Sequence, residues 1–294
     1  MTITATPGRA VLEEACSAVG FEVAGAEALR IAENQVWRLP GGVIARISRP
    51  GQMPAAVREI RVARWLADSG VPVVRPIDVE QPVEASGYPV TFWAELPPHA
   101  PGTVMDVVEV LRQIHALPVP DGLDLGALDP FVRLAARIDG ARTLSEDDRK
   151  WLHERREHLH AQWVTRPSGR PDCPVHGDAW FGNVVRTAAG RTLMDLERFS
   201  VGPPEWDLVS TAVKLTTTGT ITADEYSEFC RAYGADVTEW EGYALLVGIR
   251  ELRTVTYAAL HAARHPEWAA QAQHRVDCLR GRVGSRPWRW RGIM

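Results

Sequence analysis

Apolar and polar positions alternate with different periods in the two parts of the chain. Before residue 95 the apolar residues form short runs bounded by turn signals, which predict strands at 29–32, 35–39, 43–48, 77–79 and 89–94. Helices are predicted over 8–19, closed by Gly20, and over 55–69. Pro40-Gly41-Gly42 marks a tight turn between the second and third strands. Because hairpin connections join antiparallel strands, we expect an antiparallel five-stranded sheet with one intervening helix.

The pattern becomes helical after the proline-rich connection at residues 95–102. Apolar residues spaced three and four apart predict a buried helix face over 104–117, and Ser145 starts a helix to about residue 163. Thr222 with Glu225, and Thr238 with Glu241, form capping-box patterns that predict helices ending near Gly234 and near residue 264. A last helix follows Pro266 and ends near residue 279. The pattern predicts an α+β chain, with a sheet domain at 1–95 and a helical domain at 96–294.

Composition fits an ordinary globular protein, with 45% hydrophobic and 24% charged residues. The sequence has no apolar run long enough to span a membrane, and its first residues lack the basic-then-apolar order of a signal peptide. We therefore expect a cytoplasmic protein without a membrane partner. The four cysteines show no C-x-x-C spacing, so we expect small buried apolar side chains and no zinc site or disulfide framework.

The net charge of −4 argues against a nucleic-acid partner. The last residues are an exception, because tryptophans alternate with arginines there: Arg280, Arg282, Arg286, Trp288, Arg289, Trp290 and Arg291. Such a segment could bind single-stranded nucleic acid. We favour the alternative, in which the tryptophans pack on the protein and the arginines stay solvated.

One short segment carries residues with the chemistry of phosphoryl transfer. Asp178 lies five residues before Asn183 and seventeen before Asp195. Such a reaction needs a carboxylate that orients and deprotonates the attacking hydroxyl, and an amide and a carboxylate that hold Mg²⁺ on the nucleotide phosphates. The D-x-x-x-x-N spacing is that of a kinase catalytic loop. Apolar runs at 184–185 and 192–194 predict a hairpin with Asn183 at its start and Asp195 at its end.

At these residues the chain resembles the aminoglycoside phosphotransferase and choline kinase-like family, whose members are relatives of the protein kinases. The motif H-G-D-x-x-x-x-N of that family appears at 176–183, its metal-binding stretch as Met-Asp-Leu-Glu at 194–197, and its G-x-P-x-x-D-L-like segment at 202–208. The resemblance implies a bilobal protein-kinase-like fold with a small antiparallel sheet in its N-lobe and a mainly helical C-lobe. It also implies transfer of a phosphoryl group from ATP, or GTP, with Mg²⁺ as cofactor.

The resemblance assigns roles to further residues of the catalytic segment. His176 would orient the loop by hydrogen bonding, and Asp207 would brace it through backbone amides. Glu197 is a second candidate metal contact, and His115 would pack near the loop.

The resemblance also implies a basic residue on the third strand that holds the nucleotide phosphates and pairs with a helix glutamate. Arg46 and Glu59 occupy these places. The sequence has only two lysines, Lys150 and Lys214, both well after the sheet, so arginine must serve. Its planar fork can bind phosphate and carboxylate together. The alternative is a solvent-facing strand residue.

No G-x-G-x-x-G loop covers the phosphates, so the turn at 32–35 must do so, and Asn34 is the candidate there because asparagine tolerates tight turns. The adenine is expected against the connection formed by Trp93, Ala94, Glu95 and Leu96. Trp93 fits a core position better than a binding role.

The acceptor is predicted to be a hydroxyl-bearing small molecule, most simply an antibiotic such as an aminoglycoside or another hydroxylated natural product. The acidic residues in the last third of the chain do not indicate which substrate is bound. Asp224, Glu225, Glu239 and Glu241 are explained by first turns of helices, which leaves Glu228 and Glu251. Pairing within a helix could account for Arg250 and Glu251. Alternatives are a kinase of a nucleoside-like compound, sugar or amino alcohol, or an inactive nucleotide-binding module. The sequence gives no oligomeric state.

Overall fold

The computed structural model describes residues 8–31 and 34–292. In these residues the α-helices are α1 Arg9–Val19, α2 Met53–Asp68, α3 Val104–His115, α4 Leu134–Asp139, α5 Glu146–Val164, α6 Glu205–Thr216, α7 Ala223–Tyr233, α8 Tyr243–Ala262 and α9 Ala269–Leu279. The strands are β1 Glu27–Ile31, β2 Gln35–Leu39, β3 Val43–Ile47, β4 Val83–Ala85, β5 Tyr88–Ala94, β6 Ala100–Pro101, β7 Cys173–Val175, β8 Val184–Thr187, β9 Gly190–Leu193 and β10 Ser200–Gly202.

Contacts divide the described chain into two compact units. The first comprises Met1–Gly126 with Phe181–Phe199, and the second comprises Ala127–Trp180 with Ser200–Met294. No helix in the described part of the chain is long and apolar enough to cross a membrane.

The first unit is built on a five-stranded antiparallel sheet of order β1-β2-β3-β5-β4. Gly41 and Gly42 have φ of 79° and 75°, which lets Pro40-Gly41-Gly42 join β2 to β3 in a tight turn. Helix α1 buries Leu12, Ala15 and Cys16 against the apolar face of the sheet. The predicted α+β class, with an antiparallel N-terminal sheet and a helical remainder, is confirmed.

The strand predicted at 77–79 is wrong, because β4 begins later. Ile77 donates its N–H to Phe92 O at 2.9 Å, and the side chain of Gln81 bonds Ile77 O at 2.6 Å and Phe92 N at 2.7 Å. A glutamine side chain therefore replaces ladder pairing along this stretch. The chain enters β4 only after Pro82 and returns through Ser86-Gly87 into β5.

The predicted hairpin over the catalytic segment is also present in the first unit. Strands β8 and β9 pair antiparallel, with Val184 opposite Leu193 and Thr187 opposite Gly190. Strand β6, within the predicted connection, adds to β8. Helix α3 starts at a capping box in which Thr103 and Asp106 bond each other's backbone N–H groups.

The second unit is helical, and α8 lies at its centre in contact with α4, α5, α6 and α9. Its core contains Leu152, Trp206, Leu246, Leu252 and Val276. Strands β7 and β10 form a short antiparallel pair. Helix α7 begins at the predicted Thr222–Glu225 capping box and ends at Gly234, whose φ is 88°.

The predicted start of the following helix at Thr238 is wrong. Asp236 caps a single 3-10 turn, Val237–Glu239, by accepting from Thr238 N–H at 2.8 Å. Gly242 then precedes α8, which begins at Tyr243. Glu241 therefore lies outside the first turn of a helix, contrary to the prediction.

The C-terminal tryptophans pack on the second unit as predicted. Trp290 is buried and its Nε1 donates to Cys278 Sγ at 3.5 Å. Of the tail arginines, Arg282, Arg286, Arg289 and Arg291 are exposed as predicted, whereas Arg280 is half-buried. Arg280 bonds Asp148 at 2.5 Å, and Arg286 bonds both oxygens of Glu251 at 2.7 Å.

The four cysteines are free thiols. Cys16 and Cys278 are buried as predicted, whereas Cys173 and Cys230 are half-buried. Burial raises the pKa of Cys16 to about 11, so this thiol is protonated and inert at neutral pH.

Candidate active site

The predicted catalytic residues are divided between the two units. Arg46, Glu59, Asn183 and Asp195 belong to the first, and Asp178 with its neighbours belongs to the second. Each unit positions its own set of these residues.

The hairpin β8–β9 places Asn183 and Asp195 at its open end. Val184 pairs with Leu193, and Met194 N–H donates to Asn183 O at 2.8 Å, so the two residues flank the same pair of strands. Asn183 is buried and Asp195 is exposed. The hairpin thus brings together an amide and a carboxylate, two oxygen ligands of the type that Mg²⁺ prefers.

The backbone at Asp195 is strained. Its φ of 58° and ψ of 67° lie in the left-handed region that favours glycine and asparagine. Such a conformation costs on the order of 1 kcal/mol or more for a residue with a side chain and is concentrated at functional sites. The strain turns the chain sharply from β9 into the 3-10 turn Leu196–Arg198.

Arg46 and Glu59 form the predicted ion pair between β3 and α2. Arg46 Nη1 lies 2.7 Å and 2.9 Å from the two Glu59 carboxylate oxygens, and Nη2 lies 3.7 Å from Glu197 Oε2. Only about a tenth of the Glu59 side chain and a fifth of the Arg46 side chain are exposed. Arg46 is therefore not a solvent-facing strand residue, which was the alternative interpretation.

Three carboxylates act on the Arg46 guanidinium. Burial, together with Asp195 and Glu197, raises the pKa of Glu59, although Arg46 opposes that rise. Burial works against the charged form of Arg46, yet Glu59, Asp195 and Glu197 together raise its pKa. Carboxylate oxygens are ligands that a divalent cation such as Mg²⁺ prefers, so the residues fit the metal that the sequence predicts.

The described residues contain no group of three or more His, Cys, Asp or Glu side chains that could hold a metal by themselves. Mg²⁺ keeps several waters and commonly takes one or two carboxylates with substrate phosphates as its other ligands.

The predicted adenine contact segment is largely engaged with the sheet. Trp93 is buried and donates from Nε1 to Thr91 Oγ1 at 2.9 Å, which is the core role expected for it. Ala94 N–H donates to Arg75 O and Glu95 N–H donates to Gly42 O, both at 2.8 Å. Leu96 is half-buried and precedes two prolines.

Asn34 is half-buried immediately before β2, whereas Ala32 and Glu33 of the same predicted phosphate-covering turn lie outside the described residues.

In the second unit, Asp207 braces the loop that leads to Asp178. Its carboxylate accepts from His176 N at 2.7 Å and from Gly177 N at 2.9 Å. Asp207 is fully buried in the first turn of α6, where the helix dipole also stabilises its charge. Trp206 Nε1 donates to Gly177 O at 2.9 Å, and Gly177 has a φ of 83°. Residues of α6 thus bond both the N–H and the C=O of Gly177.

His176 is fully buried and shapes the same loop. Asp178 N–H donates to its Nδ1 at 3.2 Å, so that ring nitrogen is the acceptor. This arrangement gives His176 an orienting role.

Asp178 presents a carboxylate with 46% of its side chain exposed. Arg250 Nη1 donates to Asp178 Oδ1 at 3.2 Å, while Nη2 donates to Gly177 O at 3.2 Å and to Trp206 O at 2.8 Å. The guanidinium also lies 3.9 Å over the Trp206 ring. Arg250 therefore fixes the position of one Asp178 oxygen. Sequence reasoning missed this role, although a charged residue in the apolar stretch of α8 needs a buried partner.

Glu251 is held by partners within the second unit. Arg286 binds both of its oxygens, and Thr217 Oγ1 donates to it at 2.7 Å. Arg250 and Glu251 each contact a different part of the chain, so pairing within the helix, the possibility that the sequence left open, does not account for them. Glu228 is exposed on α7, and His115 is half-buried at the last residue of α3.

Comparison with known proteins identifies the family. The model of the phosphotransferase enzyme family (APH) matches residues 26–246. The chain belongs to this family. Its members are phosphotransferases of small molecules, so the protein is an enzyme that transfers phosphoryl groups to small-molecule acceptors. A comparison with curated protein sequences found no significant match.

Solved structures share the fold at low sequence identity. The amicoumacin kinase hAmiN, in complex with AMP-PNP, Ca²⁺ and Ami, has a TM-score of 0.71 at 14% identity, covering 94% of this chain and 93% of that one. The aminoglycoside phosphotransferase APH(3'')-Id from Streptomyces rimosus has a TM-score of 0.62 at 18% identity, covering 83% and 97%. A choline/ethanolamine kinase family protein from Mesorhizobium loti has a TM-score of 0.57 at 17% identity, covering 92% and 94%. The predicted kinase-like fold is thereby confirmed.

Proposed function

We propose that this phosphotransferase transfers the γ-phosphoryl group of ATP, or GTP, to a hydroxyl of a small molecule, such as an antibiotic or another hydroxylated natural product. The observation that carries the proposal is the cluster of Arg46 with Glu59, Asp195 and Glu197, whose carboxylates and guanidinium suit a divalent cation and the phosphates of a nucleotide.

Asp178 is assigned the general base. A hydroxyl approaching its half-exposed carboxylate would donate a hydrogen bond to one oxygen and lose its proton to it as the hydroxyl oxygen bonds to the γ-phosphorus. The bond from that phosphorus to the bridging oxygen breaks in the same step, and the nucleoside diphosphate leaves. Arg250 holds the other oxygen through a charge-assisted hydrogen bond. Asp207 keeps the backbone of the preceding loop in place.

Asn183 and Asp195 are assigned the metal ligands. When bound, Mg²⁺ would neutralise charge that develops on the nucleotide phosphates during transfer. Asn183 would contribute its amide oxygen, and Asp195 its carboxylate, from adjacent ends of one hairpin. The fork of Arg46, which is anchored on Glu59, would bind phosphate oxygens.

The adenine contact is assigned to the backbone of Leu96. The N–H groups of Ala94 and Glu95 already donate to Arg75 and Gly42, and Pro97 and Pro98 have no N–H. Leu96 N–H is the donor of this segment that a purine ring nitrogen can use. Asn34 is assigned a contact to the phosphates from the turn before β2.

The solved structures with the same fold support a hydroxylated small-molecule acceptor. Among them are APH(3'')-Id with ADP and streptomycin, and APH(9)-Ia with ADP and spectinomycin. Another of the proteins with this fold was solved with GDP and kanamycin. Both adenine and guanine nucleotides are therefore candidates here.

The decisive experiment is a panel of hydroxylated antibiotics, sugars, nucleosides and amino alcohols, incubated with ATP or GTP and Mg²⁺. Mass spectrometry would look for an acceptor heavier by one phosphoryl group that is absent in the Asp178→Asn variant. Phosphorylation at equal rates in wild type and Asp178→Asn would refute the assignment of the base.

A further inference from the structure

The second unit contains a cavity, called here the tail cavity, between three helices and the segment that follows the last of them. Helices α5, α8 and α9 and the C-terminal tail, residues 280–292, supply its walls. Its volume is about 450 Å³, which lies in the range of small-molecule sites. Its wall includes none of the residues to which the proposed function assigns a role.

The tail closes one side of this cavity as a hydrogen-bonded turn. Trp288 N–H donates to Thr217 O at 2.8 Å, and the Trp288 ring donates from Nε1 to Gly284 O at 2.7 Å. Leu279, Val283 and the Trp288 ring give the wall an apolar surface. The cavity can therefore hold the apolar part of an organic molecule.

Arg155 reaches the tail cavity from α5 across a glycine of α8. Its Nη2 lies 3.2 Å from the place where a Cβ of Gly248 would be, so a side chain at 248 would crowd the guanidinium. Glycine is unfavourable inside a helix, and here its missing side chain leaves the space that Arg155 occupies.

The Arg155 guanidinium has no acceptor in the part of the chain that the structure describes. It is half-buried, and it makes no hydrogen bond and no ion pair with those residues. The carboxylate in the wall of the tail cavity, Glu251, is bound through both oxygens by Arg286. Burial lowers the pKa of Arg155, because its charge is less well solvated there than in water. The donors of Arg155 are therefore available to a ligand.

Arg155 also borders a second cavity, but a carboxylate disfavours an anion there. The wall of that cavity includes Glu241, which is exposed and forms no ion pair with the described residues. An anion would be repelled by Glu241, whereas Glu251 in the tail cavity is already paired with Arg286. The tail cavity is therefore the better site for negative charge.

We propose that the tail cavity binds a small organic anion, whose carboxylate or phosphate group pairs with Arg155 and whose apolar part packs on Leu279, Val283 and Trp288. A planar guanidinium binds either group through two parallel hydrogen bonds. The site shares no residue with the residues assigned to catalysis, so the inference does not depend on the proposed function.

A matched series of aromatic compounds tests the charge preference. Benzoate, benzamide and benzamidine share a ring and carry negative, zero and positive charge. Binding to the full chain at physiological salt is measured by saturation-transfer NMR titration. We expect benzoate to bind tightest and benzamidine weakest. Phenyl phosphate is titrated alongside benzoate, and the tighter of the two identifies the anionic group that the site prefers.

Variants of Arg155 test its role directly. Arg155→Met should lose roughly tenfold or more in benzoate affinity, because a charge-assisted hydrogen bond is removed. Arg155→Lys should recover part of the loss, since the charge returns without the fork. Lys150→Met is the control, because it removes a positive charge from the same helix at a side chain that is 76% exposed, and it should leave the affinity unchanged. Thermal unfolding of each variant checks that the fold is intact.

A second pair of variants distinguishes the two cavities that Arg155 borders. Ser285→Glu places a carboxylate in the wall of the tail cavity and should weaken benzoate binding. Gln162→Glu places one in the wall of the second cavity and should not. Both side chains are exposed, so neither change disturbs the core.

Three results would overturn the proposal. The first is equal benzoate affinity of wild type and Arg155→Met, or tighter binding of benzamidine than of benzoate. The second is weaker binding in Gln162→Glu with no change in Ser285→Glu, which would place the anion in the second cavity. The third is displacement of benzoate by Mg·AMP-PNP, which would place it at the nucleotide site.

Discussion

Arg46 meets Glu59 through a single nitrogen, Nη1, which contacts both carboxylate oxygens. The pair uses one edge of the guanidinium, and the planar group can present another edge to a phosphate at the same time. A lysine ammonium has no such second edge, since its three protons point from one atom. An arginine at this position therefore holds the phosphate differently from a lysine.

Arg46→Ala should weaken nucleotide binding by roughly 10- to 100-fold, because a charge-assisted hydrogen bond contributes about 1.5–3 kcal/mol. Arg46→Lys should recover part of the loss, since the charge returns without the fork. Isothermal titration with Mg·AMP-PNP measures both. Arg38→Ala is the control, because Arg38 is an exposed arginine on the neighbouring strand that pairs with Glu27 and Glu95. Equal affinity of wild type and Arg46→Ala would contradict the assignment.

Asp178→Asn should lower turnover by about 10²–10⁴-fold, the usual contribution of a general base. The amide keeps the size of the side chain but cannot take up the proton. Nucleotide affinity should stay close to that of wild type, since Arg46 and the hairpin residues are untouched. Steady-state kinetics with the acceptor found in the panel provides the measurement, and turnover near the wild-type rate would remove Asp178 from the chemistry.

Elements that local signals specify were predictable from the sequence. The β8–β9 hairpin follows from apolar runs around Ala189-Gly190, and α7 follows from its capping box. The same capping-box pattern at Thr238 does not start a helix, because Thr238 N–H donates to Asp236 instead of to Glu241. Gly242 then separates the 3-10 turn from α8. The strand predicted at 77–79 does not form, because the Gln81 side chain hydrogen-bonds Ile77 O and Phe92 N, which strand pairing would otherwise engage.

Contacts between distant parts of the sequence could not be predicted. The family motifs identified Asp178 and Asp207 from the sequence. They predicted Asp178 as the base and Asp207 as the residue that holds the catalytic loop through its backbone amides. Arg250 is 72 residues from Asp178, and Arg286 is 35 residues from Glu251. The spacing of apolar residues along the chain does not indicate such contacts, because they form only when distant segments pack together. For the same reason the sequence did not show that Lys214 approaches Trp180.

The tail should stabilise the second unit through Arg286. Among the described residues, removing this arginine leaves Glu251, which is 3% exposed, with the Thr217 hydroxyl as its remaining hydrogen-bond partner. Because Arg286 is itself about half exposed, we expect Arg286→Met to cost about 1–3 kcal/mol of unfolding free energy, less than for a fully buried pair. Urea unfolding measures the change.

Two variants control the tail experiment. Arg289→Met removes an exposed arginine of the same segment and should be close to neutral. Glu251→Gln combined with Arg286→Met should be more stable than Arg286→Met alone, because no buried charge remains. A double variant less stable than the single one would show that the ion pair is not the source of the effect.

For the whole molecule, nucleotide and metal should stabilise the fold together. Mg²⁺ alone finds few protein ligands, since part of its octahedron comes from phosphates, so Mg²⁺ with ATP should raise Tm more than either alone. Asp195→Ala should remove this synergy and nearly all turnover. Asn183→Ala should weaken it less, because a neutral ligand can be replaced by water. A thermal-shift titration of the three proteins measures the effect, and equal Mg·ATP stabilisation of wild type and Asp195→Ala would place the metal elsewhere.

The left-handed backbone at Asp195 means that catalytic activity and thermal stability favour different residues at this position. Glycine adopts that conformation without strain, and it would also remove one of the crowded carboxylates around Arg46. Asp195→Gly should therefore give a nucleotide-free protein at least as stable as wild type while abolishing catalysis. A screen that selects only for thermal stability would favour the loss of this aspartate, so laboratory evolution of the enzyme needs selection for turnover in every round.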